Sequence, residues 1–237
     1  MQRESGQEGR ALPVARSMGD EALVTALTSA GCPLCRHVAR IGPQYLDSLL
    51  YQHTTDRPYR DRFRKGGGFC GRHVRAAVEA DAAGNGDGVG GSIFLRSMLA
   101  ARRQALEQGG GLRAAHRLRE ATRPAWDCPV CENEATLTGA AAQRLVGHAA
   151  RDETWRAWVI GAPWCLGHLG EIMTAAASAD GGASLSALRE RQLGAMRELE
   201  DRLDALAHDS SHGRRDRLTP HVRASLAEVA ALLAGDR

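Results

Sequence analysis

The sequence predicts an all-α protein with two related helical units and a C-terminal helix. Apolar residues recur every three or four positions, which is the spacing of an amphipathic helix. No convincing stretch alternates apolar and polar residues as a half-buried strand does. All six cysteines of the 237-residue chain also fall into one pattern that occurs twice.

Composition excludes several classes of protein. Hydrophobic residues make up 43% and charged residues 25% of the chain, which is ordinary for a globular protein. The net charge of +3 is too small to indicate nucleic-acid binding, and 4% aromatic residues argue against base-stacking surfaces. No apolar run approaches the roughly 20 residues that cross a bilayer. The first residues lack the apolar core of a secretory signal, so we expect a cytoplasmic location in which thiols stay reduced.

The repeat is clearest in four short motifs. These are CPLC at Cys32–Cys35, CGRH at Cys70–His73, CPVC at Cys128–Cys131 and CLGH at Cys165–His168. The two CPxC motifs are 96 residues apart and the two CxxH motifs are 95 residues apart. An internal duplication with one deletion in the second copy is the simplest explanation.

The first copy is predicted to contain four main helices. Asp20 is suited to cap a helix that ends at Gly31, and Pro33 is suited to the first turn of the next helix. A GGG run breaks the chain before Cys70. The predicted helices are Glu21–Ser29, one that begins at Pro33, Gly71–Ala83 and Ile93–Leu106.

The second copy has a matching order of elements. Its predicted helices are Leu112–Ala121, one from Pro129, a short one around Trp155–Val159, one after Cys165 and a long leucine-rich one. A terminal helix is predicted at Val222–Leu233. The expected organisation is a disordered extension (1–18), copy one (19–109), copy two (110–207), and a linker with the C-terminal helix (208–237).

The cysteines and histidines have the chemistry and spacing of a metal site. A CPxC turn at a helix start places two thiolates near N-terminal amides, which favour their charge. A CxxH motif places a thiol and an imidazole one helical turn apart. Three sulfurs and one nitrogen suit tetrahedral Zn²⁺. We expect two sites, each within one copy: Cys32, Cys35, Cys70 and His73, and Cys128, Cys131, Cys165 and His168.

Other interpretations of the thiols remain open from sequence alone. CPxC also occurs in dithiol oxidoreductases, although these have a βαβ context that is not predicted here. Inert buried thiols are a second alternative, and iron–sulfur clusters are the main rival to zinc. A four-ligand, thiolate-rich site leaves no coordination position for substrate, which favours a structural role for the metal.

The four motifs together resemble a family of uncharacterised bacterial and archaeal helical proteins with two CPxC…CxxH metal-binding repeats. The similar segments are Gly31–Cys35, Gly68–His73, Cys128–Cys131 and Cys165–His168, and the resemblance covers about residues 20 to 207. It implies a helical metal-binding fold. It implies no particular activity.

Two classes of function follow from these observations. The first is a binding, regulatory or accessory protein whose zinc sites are mainly structural. The alternative is a metalloenzyme or iron–sulfur protein of specialised metabolism, with a pocket between the repeats lined by Tyr45, His53, His148 and Trp155. The expected partner is a protein, a small-molecule ligand or a second copy of the chain; nucleic acid and membrane are not expected.

Overall fold

The computed structural model describes residues 10–83, 89–107, 112–113, 115–116, 128–178, 182–211 and 219–235. Within these ranges ten helices are defined and no strand occurs. The helices are α1 (Met18–Thr28), α2 (Pro33–Gln52), α3 (Arg57–Lys65), α4 (Gly71–Ala83), α5 (Val89–Glu107), α6 (Pro129–Arg151), α7 (Glu153–Gly161), α8 (Leu166–Ser178), α9 (Gly182–Ser211) and α10 (Pro220–Ala234). The predicted all-α class is therefore confirmed.

The chain divides into two compact units. Unit 1 is formed by Met1–Val38 together with Thr138–Arg237, and unit 2 is formed by Ala39–Leu137. Their boundaries fall within α2 and α6, so neither unit coincides with one sequence copy. The predicted limits 19–109 and 110–207 describe the copies instead, and the duplication behind them stays a prediction.

Unit 1 is built around three buried tryptophans. Trp155 and Trp158 lie on α7, and Trp164 follows that helix; all three are at most 3% exposed. The long helix α9 packs against α7, α8 and α10. The indole N–H groups of Trp158 and Trp155 donate to the carbonyls of Ala11 and Val14. These contacts hold the segment that precedes α1, which is the end of the predicted disordered extension; residues 1–9 lie outside the described ranges.

Unit 2 has a small aromatic core. Phe63, Phe69 and Phe94 are buried. The ring centroid of Phe63 lies 4.8 Å from that of Phe69 and 5.0 Å from that of Phe94. The helix α5 packs against α3 and α4. Gly68 has a φ of +79° and approaches Met98 so closely that a Cβ there would lie 2.7 Å from Met98 Cγ. At Gly68, in the predicted break before Cys70, both the positive φ and the close Met98 side chain therefore require glycine.

Helix positions agree with the sequence patterns where local signals are strong. The predicted helix Gly71–Ala83 has the observed bounds of α4, and Pro129 begins α6. The N-cap of α1 is Ser17, whose hydroxyl accepts from the Asp20 backbone N–H at 3.2 Å. Asp20 is not the cap, and the cap assignment from the sequence was wrong. The predicted helix Leu112–Ala121 lies mostly outside the described residues.

The C-terminal region also differs from its prediction in detail. The helix α9 continues to Ser211, so the first part of the predicted linker is helical. The terminal helix α10 begins after Thr219, whose hydroxyl accepts from the backbone N–H of Val222. None of the described helices combines the length and the apolarity that a membrane span requires.

Candidate metal centres

Four ligand-type side chains of unit 1 meet where two helices begin. Cys32 and Cys35 lie at the start of α2, and Cys165 and His168 lie at the start of α8. The Cys32 and Cys165 carbonyls accept the first backbone hydrogen bonds of their helices. Both N-termini therefore point their free amides toward the same small volume, here called cluster 1.

Cluster 1 is compact and buried. The Nδ1 atom of His168 lies 3.4 Å from Cys32 Sγ, 3.2 Å from Cys35 Sγ and 3.3 Å from Cys165 Sγ. The Sγ atoms of Cys35 and Cys165 are 3.8 Å apart. All four side chains are buried within the core of unit 1, where Leu34 and Trp164 are also fully buried.

Unit 2 contains a corresponding arrangement, here called cluster 2. Cys70 and His73 lie at the start of α4, and Cys128 and Cys131 lie at the start of α6. The Nδ1 atom of His73 is 3.3 Å from the Sγ atom of each of the three cysteines. Cys70 and Cys131 have Sγ atoms 3.7 Å apart and are half-buried, whereas His73 and Cys128 are buried.

The grouping of the ligands differs from the sequence prediction. The candidate clusters are Cys32, Cys35, Cys165 and His168, and Cys70, His73, Cys128 and Cys131. Each CPxC motif thus meets the CxxH motif of the other copy, and the within-copy pairing was wrong.

The CPxC and CxxH motifs of one copy are separated by one long helix and one short helix. In the first copy, α2 follows Cys32 directly and has 20 residues, which carry the chain about 30 Å from the CPxC motif. The next helix, α3, has nine residues and spans only about 14 Å. The second copy repeats this order, with 23 residues in α6 and nine in α7. The CPxC motif and the CxxH motif of each copy belong to different compact units.

Both clusters fit a single tetrahedral ion. A Zn²⁺ ion with Zn–S bonds of about 2.3 Å requires its sulfur ligands to lie about 3.8 Å apart, and its sulfur and nitrogen ligands about 3.5 Å apart. The observed S···S separations are 3.8 and 3.7 Å. Within each cluster the four ligand atoms lie within 4.8 Å of one another. Either cluster could therefore hold a metal ion.

The proton distribution in cluster 2 is that of a thiolate–imidazolium pair. Burial works to raise the pKa of Cys128, but hydrogen bonds from His73 and from backbone amides lower it to about 6. Burial works to lower the pKa of His73, but hydrogen bonds with Cys128 and Glu134 raise it to about 9. Burial and the Cys128 charge raise the pKa of Cys131 to about 12. A bound metal ion must displace the remaining protons.

Cluster 1 shows the same pairing of charges. Burial opposes the protonated form of His168, but hydrogen bonds with Cys165 and Cys35 raise the pKa of the imidazole to about 9. Hydrogen bonds from the Cys32 and Cys35 thiols and from His168 hold the pKa of Cys165 far below its ordinary value. The convergence of thiols and helix N-termini thus favours a negative, cation-binding site.

Two charged residues beside cluster 2 were not found from the sequence. Glu134 Oε1 lies 3.4 Å from His73 Nε2, the ring nitrogen that faces away from the sulfurs. Arg72 donates a hydrogen bond to the other Glu134 oxygen and also bonds to Cys131. The only local signals are an acid three positions after Cys131 and a base directly before His73.

The end of the C-terminal helix lies against cluster 1. Gly235 caps α10 with a φ of +76°, and its N–H donates to the carbonyl of Ala231. A Cβ at this position would lie 2.9 Å from Cys35 Sγ and 3.5 Å from Cys165 Sγ. The C-terminal segment, which lies outside the repeats, therefore covers part of cluster 1.

The four predicted pocket residues lie in two separate groups. In unit 2, His53 stacks on Tyr59 with centroids 4.0 Å apart and faces Asp56, while the hydroxyls of Tyr59 and Tyr45 form a hydrogen bond. In unit 1, His148 stacks on Trp155 with centroids 4.3 Å apart. The two histidines therefore have matching aromatic partners. Their predicted role in one pocket stays a prediction.

A buried carboxylate explains the position of His148. Asp20 is 2% exposed and accepts from Arg144 Nε at 2.7 Å and from the Arg16 backbone N–H at 3.0 Å. His148 Nε2 lies 2.8 Å from the same carboxylate. Burial works to raise the pKa of Asp20, but these hydrogen bonds hold it well below its ordinary value. The network joins α1 to α6 within unit 1.

Comparisons of the chain with protein-family models, with curated proteins and with solved structures gave no match. The resemblance carried by the CPxC and CxxH motifs therefore stays a prediction. The inferences about function rest on the geometry of the two clusters.

Proposed function

We propose that the chain binds one Zn²⁺ ion in cluster 1 and one in cluster 2. The observation that carries this proposal is the convergence of three thiols and one imidazole within 4.8 Å in each unit. Three thiolates and one neutral imidazole form one of the usual ligand sets of structural zinc. In each cluster one S···S separation, 3.8 Å in cluster 1 and 3.7 Å in cluster 2, matches that of a tetrahedron around one zinc ion.

The same distances support a single ion over an iron–sulfur cluster. In an iron–sulfur cluster the cysteine ligands bind different iron atoms, with bridging sulfides between the irons. Ligand atoms that all lie within 4.8 Å of one another leave space for one ion at their centre. We therefore propose zinc, and an iron–sulfur protein is the alternative that the metal analysis must exclude.

The proposed role of both zinc ions is structural. Four protein ligands complete the tetrahedron and leave no coordination position for substrate or water. Each ion would fasten the start of one helix to the start of another that is distant in sequence: α2 to α8, and α4 to α6. Structural zinc contributes an apparent binding free energy of about 10–16 kcal/mol at pH 7, which is comparable with the whole stability of a domain.

We further propose that the zinc-fastened helices serve a binding or accessory role. Closed metal sites support this role over metal-centred catalysis. The enzyme hypothesis makes His53 and His148 the residues to test. If His53→Ala or His148→Ala abolishes a measurable turnover while the helical signal and metal content persist, the binding role is wrong.

The experiment for the metal itself is elemental analysis of protein purified without chelator. We expect about two zinc atoms per chain and no absorption in the visible region. Substitution of Co²⁺ should give intense thiolate-to-metal bands, typical of tetrahedral sulfur-rich sites. A brown protein that contains iron and inorganic sulfide would contradict the zinc proposal, and a chain free of metal would contradict both.

A further inference from the structure

The imidazole of His73 has a defined partner on each of its two nitrogens. Its Nδ1 atom faces the three sulfurs of cluster 2, and its Nε2 atom faces Glu134 Oε1 at 3.4 Å. Glu134 is 8% exposed, so its carboxylate is shielded from water that would compete for the hydrogen bond. A metal-binding histidine commonly donates its second N–H to a carboxylate, which fixes the tautomer and the ring orientation.

Arg72 completes this arrangement. Its guanidinium pairs with the second oxygen of Glu134, so the carboxylate is held by two neighbours rather than one. The same guanidinium hydrogen-bonds to Cys131, one of the sulfurs of cluster 2. Arg72 therefore balances the charge that Glu134 adds and orients Glu134 toward His73.

The other copy has different residues at the matched positions. Glu134 lies three residues after Cys131, and the residue three positions after Cys35 is Val38. Arg72 directly precedes His73, and the residue that directly precedes His168 is Gly167. Val38 is buried, like Glu134. The chain thus offers a natural replacement for Glu134 that is already compatible with a buried position beside a CPxC turn.

We propose that Glu134 is a positioning residue that holds the His73 imidazole with Nδ1 directed at the metal of cluster 2, and that Arg72 holds Glu134. This inference rests on the proposed binding of zinc. Glu134 accepts the His73 Nε2–H, so Nδ1 is the nitrogen that gives up its proton to bind the ion. Cluster 2 depends on this carboxylate for its affinity, and cluster 1 does not.

The experiment compares three variants of the full-length chain with the wild type. Glu134→Val installs the residue of the other copy, and Glu134→Gln keeps a hydrogen-bond acceptor without the charge. Glu132→Gln is the matched control, because Glu132 lies on the same helix and is exposed. Zinc is withdrawn from each protein by titration with a chromophoric chelator.

We expect Glu134→Val to lower the affinity for one of the two zinc ions by about 10–100-fold and to leave the affinity for the other unchanged. Glu134→Gln should lose less zinc affinity than Glu134→Val, and Glu132→Gln should bind both ions as tightly as the wild type does. The imidazole ¹⁵N–¹H spectrum supplies a readout that a purely structural role would not alter. The His73 Nε2–H should exchange slowly with water in the wild type and rapidly in Glu134→Val, with His168 as the internal reference.

Two outcomes separate this inference from the proposal on which it rests. If Glu134→Val binds both zinc ions with unchanged affinity, or loses affinity equally for both, the proposed role of Glu134 is wrong and the proposed zinc binding still stands. A wild-type chain that binds no zinc would overturn the proposed function and the role of Glu134 with it.

Discussion

The grouping of the ligands predicts which pairs of cysteine substitutions cost one zinc ion and which cost two. Cys32→Ser and Cys165→Ser both remove a thiolate from cluster 1, so the double variant should retain one zinc per chain. Cys32→Ser and Cys70→Ser remove one thiolate from each cluster, so that double variant should retain none. Both double variants lose two thiols, and each is therefore the matched control for the other.

The expected energies make this contrast large. Each proposed zinc site would supply about 10–16 kcal/mol of apparent binding free energy, and we expect the loss of one thiolate to remove most of it. A second loss in the same cluster then adds little, whereas a loss in the other cluster removes the second site as well. Native mass spectrometry in the presence of a weak chelator counts the ions, and circular dichroism on the same samples measures the helices. One retained ion in Cys32→Ser/Cys70→Ser, with none in Cys32→Ser/Cys165→Ser, would refute the grouping.

Three further predictions concern the surroundings of the clusters. Asp20→Asn should lower the free energy of unfolding by about 2–3 kcal/mol at neutral pH, because a buried carboxylate loses its charged hydrogen bonds with Arg144. Folding lowers the pKa of Asp20, so the extra stability of the wild type should be lost as the pH falls below about 4. A stability difference between the two proteins that is constant from pH 7 to pH 2 would contradict this role of the Asp20 carboxylate. Gly235→Ala should speed chelator-driven zinc loss from cluster 1 only, since its Cβ would lie 2.9 Å from Cys35 Sγ. Gly194→Ala, with open space around it, is the control. Because the pKa of His73 is about 9 in the metal-free protein, zinc binding at pH 7 should release its proton, and calorimetry in buffers of different ionisation enthalpy should show proton release that falls as the pH rises.

The sequence was sufficient for the features that depend on local signals. The four motifs contain all eight residues of the two candidate clusters, because CPxC and CxxH spacings place each pair of side chains on one helical turn. The helix Gly71–Ala83 was predicted with the bounds that the structure gives it, since a GGG run precedes it and a Gly-rich sequence follows it. These signals need no knowledge of how distant segments meet.

The grouping of the ligands could not be obtained in the same way. Two CPxC and two CxxH motifs can combine within copies or between copies, and the sequence repeat is identical in both cases. The structure decides between them, because it divides each copy between two compact units and groups the motifs between copies. The assumption that each copy folded around its own metal site overlooked this division of each copy between two units.

Long-range polar contacts were also beyond the sequence patterns. Asp20 was predicted as a helix cap, but it lies in the first turn of α1 and its carboxylate bonds to Arg144, 124 positions along the chain. Glu134 meets His73 from a helix 61 positions away. Such partners depend on tertiary contacts of α6 with α1 and with α4, which no local periodicity encodes.

The central claim is that each metal ion joins the CPxC motif of one copy to the CxxH motif of the other. Heteronuclear ¹¹³Cd–¹H correlation on the cadmium-substituted chain tests it directly, because each cadmium ion couples to the β-protons of its own cysteines. We predict one cadmium resonance correlated with Cys32, Cys35 and Cys165, and a second correlated with Cys70, Cys128 and Cys131. A resonance that correlates Cys32 and Cys35 with Cys70 would contradict this grouping.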